Sequence, residues 1–140
     1  MSYWLLKTEP HVFSWENLKK LKKGDSEIWD GVRNFQARNF LREMKSGDLA
    51  LIYHSGKDRE VMGIAKVVKG AFPDPTAKEG DWSAVKVSAL QELKKPVSLK
   101  EIKANEKLKG MLLVRQSRLS VMPVQSKEFE TILKIGETKI

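Results

Sequence analysis

The sequence predicts an α+β domain, a small mixed or antiparallel β-barrel covered by helices. Three observations carry that expectation. Apolar residues recur with strand periodicity in short runs punctuated by Gly, Pro and Asp. Helical periodicity is confined to a few brief segments with recognisable caps. The 140 residues, 41% hydrophobic and 31% charged, suffice for one core, and no repeat, low-complexity tract or linker divides them. Residues 1–140 therefore read as a single domain.

The elements come in order. YWLLK (3–7) is a short strand, and Pro10 stops any helix beyond it. Ser14 opens a helix with Trp15, Leu18 and Leu21 on one face and Gly24 past its last turn. IWDGVRNFQARN (28–39) passes from a bulky aromatic through a turn into a second helix. Its stripe is Ala37, Phe40, Leu41 and Met44, and Ser46-Gly47 ends it. With that stripe inward, Gln36, Asn39 and Glu43 face solvent, while Asn34, Arg38 and Arg42 run along one border, placed to line a cleft. Strands are predicted over 48–54, 60–70 and 82–93, the first apolar on both faces as a central strand should be. The third alternates, with Val85, Val87 and Ala89 on one side. AFPDPTAKEGD (71–81) is a loop. Ser98 and Glu101 have capping-box spacing and start a short helix over 98–104. RLSVMPV (118–124) is the last strand, and 126–136 a terminal helix with Phe129, Ile132 and Leu133 inward.

Composition narrows the function. Lys and Arg number 26 against 18 acids, a net charge of +8, which favours a polyanionic partner such as nucleic acid. The run Lys19, Lys20, Lys22, Lys23 fits such a partner, although a lysine run is more often the solvated side of a surface helix. No cysteine is present, which excludes disulfides and thiolate metal sites and suits a reducing compartment. The N-terminal segment lacks the form of a signal peptide and no later run has the length of a membrane span, so a cytoplasmic protein is expected, or a nuclear one if the source is eukaryotic. No amphipathic basic helix suggests a membrane partner, and a monomer is expected.

Familiar catalytic patterns are missing. His11 and His54 are far apart, with no HxH or HExxH spacing, and no phosphate-binding loop, dinucleotide fingerprint or nucleophile elbow occurs. Asp30, Asp48 and Asp58 are the one conceivable carboxylate set for Mg²⁺, but each sits at a turn or beside Gly, where aspartate is usual for local reasons. No cofactor is implied.

What remains are aromatic–polar islands: WDGVRN (29–34), YHSG (53–56) and RQSRLSV (115–121). A flat ligand with hydrogen-bonding edges suits them. Trp29, Trp4 or Tyr53 is placed to stack on it, Asn34, Ser55 and His54 to read its edge, and Arg33, Arg38, Arg115 and Arg118 to hold nearby phosphates. A helix N-terminus attracts phosphate, but Asp30 repels it, so a base in the pocket with phosphates at the rim is expected. The plain alternative stays open: Trp29 plugs the barrel end and Asp30 caps the helix.

In order along nearly the whole chain, YWLLKTEP, WDGVRNFQARNFLREMKSGDLALIYHS, GIAKVV, FPDPTA and RQSRLSVMPV resemble the EVE domain family of the PUA-like superfamily. The resemblance implies a PUA-like barrel and a non-catalytic reader of modified bases in DNA or RNA. It also implies a pocket built from Trp4, Trp29, Asp30, Gly31, Val32, Asn34, His54 and Ser55, with Arg115, Ser117 and Arg118 nearby. Phe35 and Phe40 depart from the Tyr or polar residue expected in many relatives. Selectivity for a mark needs a buried polar group that the unmodified base leaves unpaired, and Asp30, Asn34 and His54 are the expected sources. Two other readings stand beside this one. The related ASCH domains suggest an amidohydrolase of modified nucleosides, for which Lys7, Thr8 and Glu9 have the right residue types, though strand alternation turns Thr8 away from the other two. A small-molecule sensor is the third.

Overall fold

The computed structural model describes residues 1–140. It contains six strands and five helices: β1 (Tyr3–Thr8), α1 (Trp15–Lys19), β2 (Glu27–Trp29), α2 (Phe35–Glu43), β3 (Leu49–His54), β4 (Glu60–Pro73), β5 (Ser83–Ser98), α3 (Leu99–Ala104), α4 (Leu112–Arg115), β6 (Val121–Val124) and α5 (Ser126–Ile135). The strands form one mixed sheet in the order β2-β5-β4-β3-β1-β6. β1 runs parallel to β3, with Thr8 opposite His54, and every other pairing is antiparallel.

The expected α+β class holds, but the sheet does not close into a barrel. β2 has three residues and β6 four, and these edge strands pair only with β5 and β1. Closure needs a continuous ladder across the seam. No β2–β6 ladder forms, and α2 packs against β4, β5 and β6. Pro123 in β6 fits an edge strand, where a missing N–H breaks no interior ladder. Register shifts along β4 and β5, between Val61 and Gly63, Ile64 and Ala65, Val67 and Lys69, and Lys69 and Phe72, are the bulges that curl these long strands around the core.

Local chemistry sets the helix ends. Ser14 caps α1 through Asn17, Ser98 caps α3 in a box with Glu101, and Asn34 caps α2 by accepting from the Ala37 N–H at 2.9 Å. Asp30 therefore caps no helix. α1 is shorter than its apolar spacing suggested, ending before Leu21, and β2 and α4 are too short to leave a periodic signal. β3 is buried along its whole length, and the core runs from Trp4, Leu5 and Leu6 through β3 and β4 to Phe129 and Ile132. No helix is long and apolar enough to cross a membrane.

Candidate functional site

The turn after β2 opens a cleft of about 460 Å³, within the roughly 300–1,000 Å³ of small-ligand sites. Trp29, at the end of β2, forms one wall. Phe13 meets it edge-on, with ring centroids 5.9 Å apart and planes at 87°, a favoured aromatic geometry. Ile28 to Asn34 continue the wall, and Lys7, Thr8, Glu9 and Ser120 lie across from it.

A buried carboxylate builds the turn. Asp74 Oδ2 accepts from the Gly31 N–H at 2.9 Å and from Arg33 Nη1 at 2.9 Å, while its Oδ1 takes Thr76 N and Oγ1, each at 2.7 Å. Burial alone would favour the neutral acid. The donated hydrogen bonds from Thr76, Arg33 and Gly31 outweigh it and hold the carboxyl far below the usual range. Gly31 has φ +78°, a conformation that other L-residues adopt only under strain. The turn, its glycine and Arg33 are thus one preorganised unit.

Because Asp74 has a lower pKa folded than unfolded, its ionised form stabilises the fold. That contribution is complete above its unfolded value near 4 and fades as the pH falls. Asp48, held down by hydrogen bonds from Trp4, Ser2 and Lys45 against the opposing effect of burial, acts in the same direction. We expect Asp74→Asn to lose about 1.5–3 kcal/mol at neutral pH, with the gap to the parent narrowing as acid is added. Urea melts between pH 7 and pH 2.5 check it, and a constant gap refutes it.

The cleft is acidic on its β2 side. Glu27 and Trp29 share a strand face, two residues apart. Burial, with Asp30 close by, pushes the Glu27 carboxyl upward. Asp30 is exposed, and its carboxylate is engaged by no other side chain of the protein. Opposite, Lys7 Nζ donates to the Ser117 carbonyl at 2.8 Å, and burial pulls its pKa down. That contact places the loop carrying Arg115, Ser117 and Arg118 beside the cleft. The three residues line an adjoining recess that shares Asn34 with it.

Several expected site residues lie elsewhere. Trp4 is 5% exposed and donates Nε1 to Asp48 at 2.9 Å, so its ring belongs to the core beneath Phe40, not to the cleft. Tyr53 is buried on β3, with Lys7 Nζ 5.7 Å from its ring centroid. His54 is buried and its Nε2 accepts the Trp15 N–H at 2.9 Å, filling one of the orphan donors at the start of α1. Burial pulls its pKa down, so the ring is neutral, carries its proton on Nδ1 and reads no ligand. Ser55 donates its N–H and Oγ to the Thr8 carbonyl, buttressing the opposite wall without lining it. Arg38 lies outside this cleft, donating to Asn39 Oδ1 and the Asp81 carbonyl. Asn34 lines the cleft with its Oδ1 engaged as the cap, leaving Nδ2 as its free edge. Trp29, Asp30, Gly31, Val32, Arg33 and Asn34 are the expected residues that line this cleft.

Sequence reasoning missed Phe13, Glu27 and Ser120 as wall residues. Alternation from Trp29 could have found Glu27, but no local pattern marks the other two. Lys7, Thr8 and Glu9 all line the cleft, with the Thr8 hydroxyl donated to the Phe13 carbonyl and Lys7 Nζ to the Ser117 carbonyl. Asp30, Asp48 and Asp58 do not assemble, and no three His, Asp or Glu side chains stand in metal-ligand geometry.

Comparison with known proteins adds a separate line of evidence. The EVE domain model matches residues 2–135. Thymocyte nuclear protein 1 of Mus musculus is 39% identical over 170 aligned residues, covering 99% of this chain and 75% of that protein. Protein Atu2648 of Agrobacterium tumefaciens has a crystal structure with TM-score 0.92 and 45% identity, over 97% of this chain and 93% of that one. Human THYN1 protein, crystallised in complex with 5-methylcytosine-containing DNA, superposes with TM-score 0.89 at 37% identity over 100% of both chains.

Proposed function

The chain belongs to the EVE domain family, and from that premise we propose that it is a non-catalytic reader that takes one modified base of DNA into the Trp29 cleft. The observation that carries this reading is the cleft itself: an indole wall beside unpaired polar edges, in a relative of a protein crystallised with 5-methylcytosine-containing DNA. An aromatic wall stacks on any base. The acids Glu27 and Asp30 accept from an exocyclic amine such as cytosine N4, and they repel phosphate. Arg115 and Arg118, on the adjoining recess, suit the phosphates at the rim.

Energetics shape the selectivity. Burying one methyl gains about 0.8 kcal/mol, roughly a fourfold preference. Extruding a base from duplex DNA costs a few kcal/mol, so single strands and loosened sites are favoured. Larger discrimination requires a polar group left unsatisfied by the wrong base. With His54 committed to Trp15, the free groups are Asp30, the Nδ2 of Asn34 and Glu27.

The test is fluorescence anisotropy with matched oligonucleotides carrying cytosine or 5-methylcytosine, across a salt series. Preferential binding of the modified strand, weakened tenfold or more between about 50 and 200 mM salt, is expected if several phosphates are engaged. Equal affinity for the two strands, repeated over a panel of other marks, retires the reading. Product formation from an acylated cytidine would instead favour hydrolysis, for which Lys7 and Glu9 across the cleft are the residues to examine.

A further inference from the structure

Phe35, the first residue of α2, is 66% exposed, an unusual setting for a phenyl ring next to a ligand cleft. Single exposed apolar side chains are ordinary on protein surfaces. This one is part of a built arrangement. Its ring stacks on Trp82, with centroids 5.2 Å apart and planes 13° from parallel. The Arg38 guanidinium lies 5.0 Å from the Phe35 ring and 5.9 Å from Trp82, and Arg33 lies 5.5 Å from Trp82. Both arginines are held by hydrogen bonds, Arg38 to Asn39 Oδ1 and the Asp81 carbonyl and Arg33 to Asp74 and Thr76. The exposed Phe35 ring is therefore held in water on a Trp82 base, with Arg38 against both rings and Arg33 against Trp82.

The platform is coupled to the cleft. Asp74 grips Arg33 on one side and the Gly31 N–H of the cleft turn on the other. Asn34 lines the cleft and Phe35 follows it directly in the chain, so the platform begins at the cleft's edge. A π-face flanked by guanidinium groups is the chemistry that holds an unpaired base and its phosphate.

Resting on the reading of the cleft as a base pocket, we propose that the Phe35–Trp82 stack is a second nucleobase site. The DNA base adjacent to the one in the cleft lies on the open surface of Phe35, with Arg33 and Arg38 facing the intervening phosphate. The protein then grips two consecutive nucleotides, and only the one in the cleft is read for its mark.

The test uses the full chain and a single-stranded 5-methylcytosine oligonucleotide with 2-aminopurine beside the mark. The parent protein is expected to quench the 2-aminopurine by stacking. Phe35→Ala is expected to abolish the quench and weaken binding about tenfold, the equivalent of one base–aromatic stack, while Phe35→Tyr restores both. The exposed position makes an unchanged melting temperature the expected control. Binding of free 5-methylcytidine should be the same in Phe35→Ala and the parent. Unaltered oligonucleotide affinity and quenching in Phe35→Ala overturn the second site. So does a dimer in sedimentation that Phe35→Ala dissolves, because the ring then covers another copy of the chain. A folded Trp29→Ala that still binds the oligonucleotide fully overturns the cleft reading and this inference with it. Loss in Trp29→Ala alone removes only the second site.

Discussion

Trp29→Ala is expected to weaken binding of a 5-methylcytosine oligonucleotide by about 5- to 150-fold, the range equivalent to losing one base–aromatic stack. The size comes from how the ring is held. Trp29 is 7% exposed, pinned at the edge of the sheet by the pairing of β2 with β5 and braced edge-on by Phe13. A wall so fixed offers its face to a ligand at little entropic cost. Alanine also removes core contacts, and stability will fall by up to about 3–5 kcal/mol, so the comparison needs a companion. Trp29→Phe keeps an aromatic wall with less area and should lose only a few-fold. The order parent, Phe, Ala in affinity, with all three folded by circular dichroism, identifies the ring as the ligand's platform. A folded alanine variant with parental affinity would show that the indole merely fills the end of the sheet.

How much of this was legible before the structure depends on the range of the signal. Ser98–Glu101 and Phe129–Ile132–Leu133 are local patterns that read correctly because caps and amphipathic faces are decided within a few residues. The buried run of β3 announced a central strand in the same way. The barrel's failure to close was not local. It depends on which distant segments pair, since β2 and β6 are short edges bonded only to β5 and β1. The site divides along the same line. The contiguous turn from Trp29 to Asn34 stayed together because Asp74, some forty residues away, clamps it, although nothing in the turn itself announces that partner. Trp4, Tyr53 and His54 looked like ligand residues because aromatic and imidazole groups are so used. The partners of two of them, Asp48 for Trp4 and the Trp15 amide for His54, lie more than thirty residues away and satisfy them internally. Residue type suggested chemistry, and long-range pairing decided which groups were left free to perform it.

The largest effect of a single added methyl should come at Gly63, far from any ligand. A Cβ there would sit 2.4 Å from Cζ2 and 2.5 Å from Cη2 of Trp15. Those distances are well inside contact, and neither partner yields easily. Gly63 is in the interior of β4, paired with Ile52 of β3 and Glu92 of β5, while Trp15 is 1% exposed and anchored through its N–H to His54. Overpacking of this kind costs about 1–3 kcal/mol, sometimes more, and a melting point some 3–10 °C lower is expected for Gly63→Ala. The clash involves the six-membered ring of the indole, so shortening that ring should relieve it. Trp15→Phe removes the offending atoms together with Nε1, a buried donor with no well-formed hydrogen bond that lies near the Glu92 carboxylate. In that background the alanine should cost less than in the parent, a coupling that a double-mutant cycle measures. The consequence reaches the cleft, because Phe13 directly precedes the Ser14 cap of α1 and braces Trp29. A Trp15 displaced by the new methyl shifts Phe13, so Gly63→Ala should also weaken oligonucleotide binding, and Trp15→Phe should restore part of both losses. Independent, additive effects of the two substitutions would show that β4 absorbs the methyl without moving the indole.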